Sequence, residues 1–557
     1  MSRAVATRLI SRKRLVIFFF ITLAVLLLAF RRLSSRRQPY IVFILADDLG
    51  WNDVSYNGCP QIRTPNIDAL AWNGIRLQRY YTQPMCTPSR AALMTGRYPI
   101  HTGTQHFVIL QSEPRGLPLH FKLLPQWFGD LGYASQMLGK WHLGFYKKEY
   151  TPTMRGFQNH IGSWGGFVDY YSHQSESDIL GGQFIGLDFH QGLSEARELN
   201  GKYYTQLLTE EATRAIKNHP LGKPLFLYLA HQAPHVANPQ DPLQVPKKYS
   251  DKYRDIGSRN RTLYAGMVSA LDESVGAVVE ALGKRGMLSD TVLVFSSDNG
   301  GDTNGEDANY ASSWPFKGQK TTPWEGGVHV PAIIWSPLFS GMRGYDYSNL
   351  FHITDWLPTL YQLAGGDPSD LGDIDGISQL EALRRGNEAP RKELLINIDP
   401  VDNVSAIIEG HFKLVSGVVS EGVLDDWFQV PGNVRWGSDR ARRECETSVV
   451  AQVLRNAGHG VACGSGDGSY ATPIKCDERG PRNPCAPAAA PCLFDLFKDP
   501  CEYNNIAEEH PEVLRRLIGK LEAYRATSMP PGNLPLDPRA DPALHNHMWA
   551  AWGDDSK

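Results

Sequence analysis

No surplus of either charge marks this sequence of 557 residues: 56 Lys and Arg face 59 Asp and Glu, for a formal net charge of −3. Without a basic excess there is no electrostatic case for a nucleic-acid partner. The mean hydropathy of −0.32 is too low for a polytopic membrane protein. Cysteine is scarce, eight residues in all, and no C-x-x-C pair or paired histidines accompany it, which argues against a zinc cluster. No internal repeat is present. The remainder is ordinary globular composition, 42% hydrophobic and 21% charged, which excludes a disordered or fibrous chain. A single core stops growing at roughly 250–300 residues, so two unequal domains are expected.

The N-terminus departs from a plain soluble pattern. Arg3, Arg8, Arg12, Lys13 and Arg14 precede an uncharged run from Leu15 to Phe30, and Arg31, Arg32, Arg36 and Arg37 follow it. The run is long for the core of a signal peptide and short for a spanning helix, and no small-residue cleavage pattern follows. It reads as a signal peptide or a retained single-pass signal anchor, and basic residues on both sides leave the topology open. Either reading sends the chain into the secretory pathway, to the lysosome or the cell exterior. Cys445, Cys463, Cys476, Cys485, Cys492 and Cys501 crowd together and, in that oxidising compartment, read as disulfides of open connectivity. Cys59 and Cys86 stand apart; since an odd number remains beside Cys86, at least one other thiol is free or intermolecular. Glycosylation sequons begin at Asn260 and Asn403.

Several unbroken apolar runs end abruptly in polar residues. Tyr40 to Ala46 meets Asp47-Asp48, Leu225 to Ala230 leads through His231 to His235, and Thr291 to Ser296 leads to Asp298-Asn299. Such runs suit strands buried on both faces of a parallel sheet, and helical patterns over Tyr203–Ile216 and Leu263–Leu282 lie between them. The expected fold class is α/β, a mostly parallel central sheet flanked by helices. Ligand sites in such sheets lie at the carboxyl ends of the strands, where these polar groups would meet. After about residue 385 the runs shorten, and 394–399, 405–408 and 411–415 predict a small antiparallel sheet; residues 426–490 read as a disulfide-pinned irregular insertion.

Two adjacent buried carboxylates cannot both ionise without compensation, and a divalent cation removes the conflict. Asp47, Asp48, Asp298 and Asn299 offer four oxygen donors, a set for Ca²⁺ or Mg²⁺ rather than zinc. The most specific stretch is Cys86-Thr-Pro-Ser-Arg90 followed by Thr95-Gly-Arg97. It resembles the C-x-P-S-R signature of the sulfatase family, in which the cysteine is oxidised to formylglycine. Gly139-Lys140-Trp-His142-Leu-Gly144, Asp298-Asn-Gly-Gly301, Trp314-Pro-Phe-Lys317-Gly and Trp324-Glu-Gly-Gly-Val328 extend the resemblance, which is closest to the arylsulfatase B (N-acetylgalactosamine-4-sulfatase) type.

The resemblance implies an alkaline-phosphatase-like fold and a sulfuric ester hydrolase. It implies one Ca²⁺ held by Asp47, Asp48, Asp298, Asn299 and the formylglycine formed from Cys86. Arg90, Lys140 and Lys317 would surround the sulfate, His142 would face the formylglycine hydroxyls and His235 the leaving oxygen; His231 is a rival for the last role. Implied partners are a sulfated carbohydrate or aryl sulfate substrate and the formylglycine-generating enzyme. The implied organisation is a basic N-terminus with signal peptide or anchor (1–38), a catalytic domain (39–388), a smaller domain with the Cys-rich insertion (389–530) and a tail (531–557). Two other readings keep the fold: a phosphatase or phosphodiesterase of the alkaline-phosphatase superfamily, which a cysteine in this context disfavours, and a non-catalytic binding protein, which the full complement of polar residues disfavours.

Overall fold

The computed structural model describes residues 38–554 apart from positions 60, 180–181, 306–307, 434–436, 466–469, 471–473 and 478. The apolar run at 15–30 lies outside the described residues, and among the described residues no helix is long and apolar enough to cross a membrane.

The main sheet comprises β1 (Tyr40–Ala46), β2 (Ile75–Leu77), β3 (Ala134–Gly139), β4 (Asn159–Gly162), β5 (His190–Gln191), β6 (Ser194–Glu195), β7 (Leu225–Ala230), β8 (Thr291–Ser297), β9 (Ala332–Trp335) and β10 (Tyr345–Tyr347). Their spatial order is β10-β2-β9-β8-β1-β7-β3-β4-β5-β6. From β8 to β4 all strands run parallel, and antiparallel pairs, β8 with β9 and β4 with β5, flank that block. The reason for the unbroken apolar runs is visible in β1. Ile41, Phe43 and Leu45 pack on one side, with α1 (Cys86–Thr95) and the helix Trp356–Leu363. Val42 and Ile44 pack on the other, with α2 (Tyr204–Asn218) and α3 (Arg259–Arg285). Both faces are dry, each such side chain contributing about 1.5–3 kcal/mol of transfer free energy.

A second sheet of β11 (Glu393–Asp399), β12 (Val404–Glu409), β13 (Phe412–Ser416) and β14 (Cys492–Asp495) is antiparallel throughout. Its fourth strand comes from beyond the insertion, joined by pairing that no local pattern announces. One face packs against Trp324 and Val328, the other against the helix Pro511–Thr527 through Val513, Leu517 and Leu521. Lys413 of β13, fully buried, meets Glu325 at 2.9 Å and Glu502 at 2.8 Å. The insertion is less irregular than expected. Helices Ser438–Thr447 and Val449–Asn456 form within it, and Ala441, Val450 and Leu454 join the apolar layer on α3. Disulfides link Cys445 to Cys463, Cys476 to Cys501 and Cys485 to Cys492, while Cys59 and Cys86 are free and buried. In the C-terminal stretch, Trp549 and Trp552 pack with Phe145 and Trp164.

Candidate active site

Four neighbouring parallel strands deliver the polar cluster. Ala46 and Ser297 are register partners, so Asp47-Asp48 and Asp298-Asn299 emerge side by side. The Asp298 amide donates to the Ala46 carbonyl at 3.1 Å, and the Asp48 amide to Asp298 Oδ1 at 3.3 Å. Lys140 follows β3 and its amide donates to the Ala230 carbonyl at 2.9 Å, while the loop after β7 carries His235. Asn309, which sequence reasoning did not single out, ties two of these loops together by donating to the Asp48 and Pro234 carbonyls at 3.0 and 3.1 Å. Asp48 and His142 adopt left-handed backbone, φ 60° and 59°, the kind of strain that surrounding contacts sustain at working sites.

Cys86 opens α1 and is 2% exposed. Its thiol donates to Asp47 Oδ1 at 3.4 Å, and Lys140 Nζ reaches Cys86 Sγ at 3.3 Å and Asp47 Oδ2 at 2.5 Å. Burial, reinforced by Asp47, pushes the thiol well above its ordinary range, so an unmodified Cys86 is a protonated and poor nucleophile. Arg90 is fully buried behind this cluster: Nε and Nη2 donate to Asp298 Oδ2 at 3.0 and 2.7 Å, and Nη1 to the Lys140 carbonyl at 2.9 Å. Its contacts orient a carboxylate and a lysine.

The two lysines of the Lys-Gly-Gln-Lys segment part company. Lys317 Nζ lies over the rings of Trp324 and Trp427, at 3.7 and 4.9 Å, and its described contacts do not include the acidic cluster. Lys320 is the one that reaches the acidic cluster: Nζ donates to Asp48 Oδ2 at 2.6 Å and stands 3.3 Å from His235 Nε2. His235 is also 3.5 Å from Asp48 Oδ2. His231 points away, its Nε2 on the Ser274 hydroxyl at 3.0 Å. Burial works against ionising Asp48, yet Lys320, His235 and Lys140 outweigh it and hold the carboxyl down to about 2. Burial, then Lys320, lowers His235 to about 3, leaving the ring neutral. Its Nδ1 donates to the Val236 carbonyl at 2.8 Å, which puts the free lone pair on Nε2. His142 shows the opposite tautomer: Nε2 donates to the Ile109 carbonyl at 3.2 Å, and buried Nδ1 has no partner. Burial, then Lys140 and Arg90, holds its pKa well below the usual value.

The donor set fits a hard cation. Asp47, Asp48, Asp298 and Asn299 are all fully buried, and ligand atoms of Asp47, Asp48, Cys86 and His235 lie within 4.8 Å of one another. Asn299 Nδ2 donates to Asp48 Oδ1 at 2.6 Å and to the Gly300 carbonyl at 2.9 Å, so its oxygen is oriented and left without a hydrogen-bond partner. A buried amide oxygen with no donor, beside three carboxylates, is what a cation bound through oxygen would complete.

A doubly covered, mostly parallel sheet with acids, lysines and histidines converging at its carboxyl edge places the chain in the alkaline-phosphatase-like fold class. Residues 39–366 match the family model described as Sulfatase. The chain is 35% identical to arylsulfatase J of Mus musculus over 540 residues, covering 93% of this chain and 81% of that one. It is 31% identical to the N-acetylgalactosamine-6-sulfatase of Mus musculus over 372 residues, 64% of this chain and 68% of the relative. Among solved structures, Ps i-CgsB in complex with k-i-k-neocarrahexaose superposes with a TM-score of 0.69 at 26% identity, covering 90% of this chain and 95% of that one. The chain belongs to the sulfatase family and is an enzyme that hydrolyses sulfate esters.

Proposed function

We propose that the enzyme acts on sulfated carbohydrates, such as sulfated hexosamine or glycosaminoglycan chains, and on aryl sulfates, using a formylglycine made from Cys86 and one bound Ca²⁺. The observation that carries this reading is the buried Cys86 at the start of α1, in contact with Asp47 and Lys140 and unable to act as a thiolate. The relatives named for N-acetylgalactosamine-6-sulfate and the neighbour holding a neocarrahexaose support the substrate class. Calcium held by Asp47, Asp48, Asp298, Asn299 and residue 86 would supply positive charge beyond that of Arg90, Lys140 and Lys320, which only balance the three carboxylates. Formylglycine, hydrated, would supply the attacking hydroxyl and a second hydroxyl that lets sulfate leave.

The chain's own groups then have distinct tasks. Lys140 and Lys320 bind the sulfate oxygens in a crevice that excludes water, where each contact counts for more than in solution. Arg90 keeps Asp298 and the Lys140 backbone in place. His235, neutral at rest with Nε2 free, takes up a proton from solvent on Nε2 when the anionic ester binds beside it and passes that proton to the departing oxygen. His142, neutral with Nδ1 free, accepts the proton of the second hydroxyl. Because Cys86 is buried in the folded chain, the formylglycine-generating enzyme has to reach it before folding closes the site. That order of events, with three disulfides, supports routing through the secretory pathway and on to the lysosome or cell exterior. The test is peptide mass spectrometry at position 86, paired with matched chromogenic sulfate and phosphate esters. Formylglycine and sulfate release are expected; an active enzyme with unmodified cysteine, or a preference for phosphate, overturns the reading.

A further inference from the structure

A second cavity, of about 390 Å³, adjoins the site along the chain: Met85 and Pro88 flank Cys86, Thr321 follows Lys320, and all three line it. Its far wall is built from the second sheet and from the loop carrying Gln105, His106 and Phe107. Asn397 and Gln105, 7% and 2% exposed, each keep a buried side-chain oxygen without a partner, while their amide nitrogens donate to the Gln105 and Met529 carbonyls at 2.8 and 2.7 Å. His106 Nδ1 sits 2.8 Å from Asp399 Oδ2 and 3.9 Å from Asp402 Oδ2. Asp402 is half-exposed into the same space, and Phe107, 47% exposed, offers an open ring beside it. Among the described residues no lysine or arginine lines the cavity.

Two buried amide oxygens and the Asp402 carboxylate call for a ligand rich in hydrogen-bond donors, Asp399 being already met by His106 and by the amides of Val401 and Asp402, and an exposed ring calls for one apolar face. A sugar ring has both. A carboxylate or sulfate on that ring would approach Asp399 and Asp402 with no lysine or arginine among the described lining residues to meet it. We propose that this cavity binds an uncharged sugar ring joined to the sulfated one, so that the substrates are sulfated oligosaccharides whose adjoining ring carries neither carboxylate nor sulfate. The inference rests on the carbohydrate sulfatase reading above and narrows it.

The experiment compares three kinds of substrate of the full-length, formylglycine-bearing enzyme: an aryl sulfate, and two series of disaccharides sharing a sulfated N-acetylhexosamine, linked to galactose in one and to glucuronate in the other, with the sulfate at each ring position in turn. The galactose compound is expected to exceed the glucuronate compound in kcat/KM by about tenfold or more, the worth of one hydrogen bond to a charged group. Phe107→Ala should raise KM for the galactose compound about tenfold relative to the aryl sulfate. Asp402→Asn should narrow the gap between the two disaccharides. Saturation-transfer NMR with the unsulfated galactose disaccharide reads the cavity without turnover, and its signal should weaken in Phe107→Ala. Failure to turn over even the aryl sulfate counts against the hydrolase reading, whereas equal rates on the two disaccharides, or a preference for glucuronate, overturn the subsite. Loss of a calcium equivalent in Asp402→Asn, with no change toward either sugar, would assign the cluster to a second cation and overturn it as well.

Discussion

Lys317 and Lys320 separate what a side chain is from where it points. Both are lysines in the short segment between Trp314 and Trp324, and family resemblance directed attention to the first. The backbone settles the matter otherwise: the Gly326 amide donates to the Lys317 carbonyl at 2.7 Å, the Gly318 amide to Asp426 at 2.8 Å, and Lys317 is turned onto two indoles. Lys320→Ala is expected to lower kcat/KM on an aryl sulfate by roughly 10²–10³, the range for removing one preorganised charge donor. Lys317→Ala should cost less than about tenfold and act through packing of Trp324 and Trp427. Steady-state kinetics of the two variants side by side checks the assignment; a larger loss at Lys317 would restore it to the sulfate. Asp47, Asp48, Asp298 and Asn299 were singled out beforehand by two polar strand ends, Cys86 by its motif and Lys140 by family resemblance alone, and the structure gathers these side chains into one buried cluster. Lys320 and Asn309 were not singled out: a lysine three places along, or an asparagine bonded to two carbonyls, carries no local signature.

Among the elements, the site depends on how closely β3 and β7 approach at their carboxyl ends. Gly139 closes β3 with φ +106°, and a Cβ there would stand 1.9 Å from the Ala230 carbonyl oxygen. No flexible side chain can yield, since the obstacle is backbone. Gly139→Ala should therefore force the strand ends apart, cost at least about 2 kcal/mol of stability and displace Lys140 from Asp47. Thermal unfolding and aryl sulfate turnover should fall together; an unchanged melting temperature would contradict the close approach. Of the four strands that carry the site, β1, β7 and β8 were readable from their apolar runs and β3 was not, while the spans of α2 and α3 were readable to within a few residues. The pairing of β14 with β13 across the insertion was not, because strand pairing over that separation is a choice made by packing rather than by local pattern.

For the whole molecule, acid is the informative stress. Burial lowers His231 and His160 to about 3 and His173 to about 4, so these rings stay neutral in the fold. An unfolded histidine titrates near 6.5. As pH falls below that value the unfolded chain takes up protons that the folded chain refuses, and stability drops by up to about 1.4 kcal/mol per pH unit for each ring. Asp68, which burial raises to about 6, works in the opposite sense and offsets part of the loss. His231→Gln keeps a donor toward Ser274 and removes one such ring, so its melting temperature should fall less steeply than the parent's between pH 6.5 and about 4. Parallel slopes would mean that His231 protonates in place.

The order of residues was enough to establish an α/β sheet with chemistry at its carboxyl edge, because solvent exclusion from both faces and the clustering of like charges leave marks in composition and spacing. It was also enough to indicate a family. Which lysine faces the crevice, which imidazole nitrogen is free, and how the second sheet closes a sugar-sized cavity beside Cys86 were settled by folding alone. The lysine and the cavity depend on contacts between segments hundreds of residues apart, and the free nitrogens of His235 and His142 on loop carbonyls whose direction only the folded backbone sets.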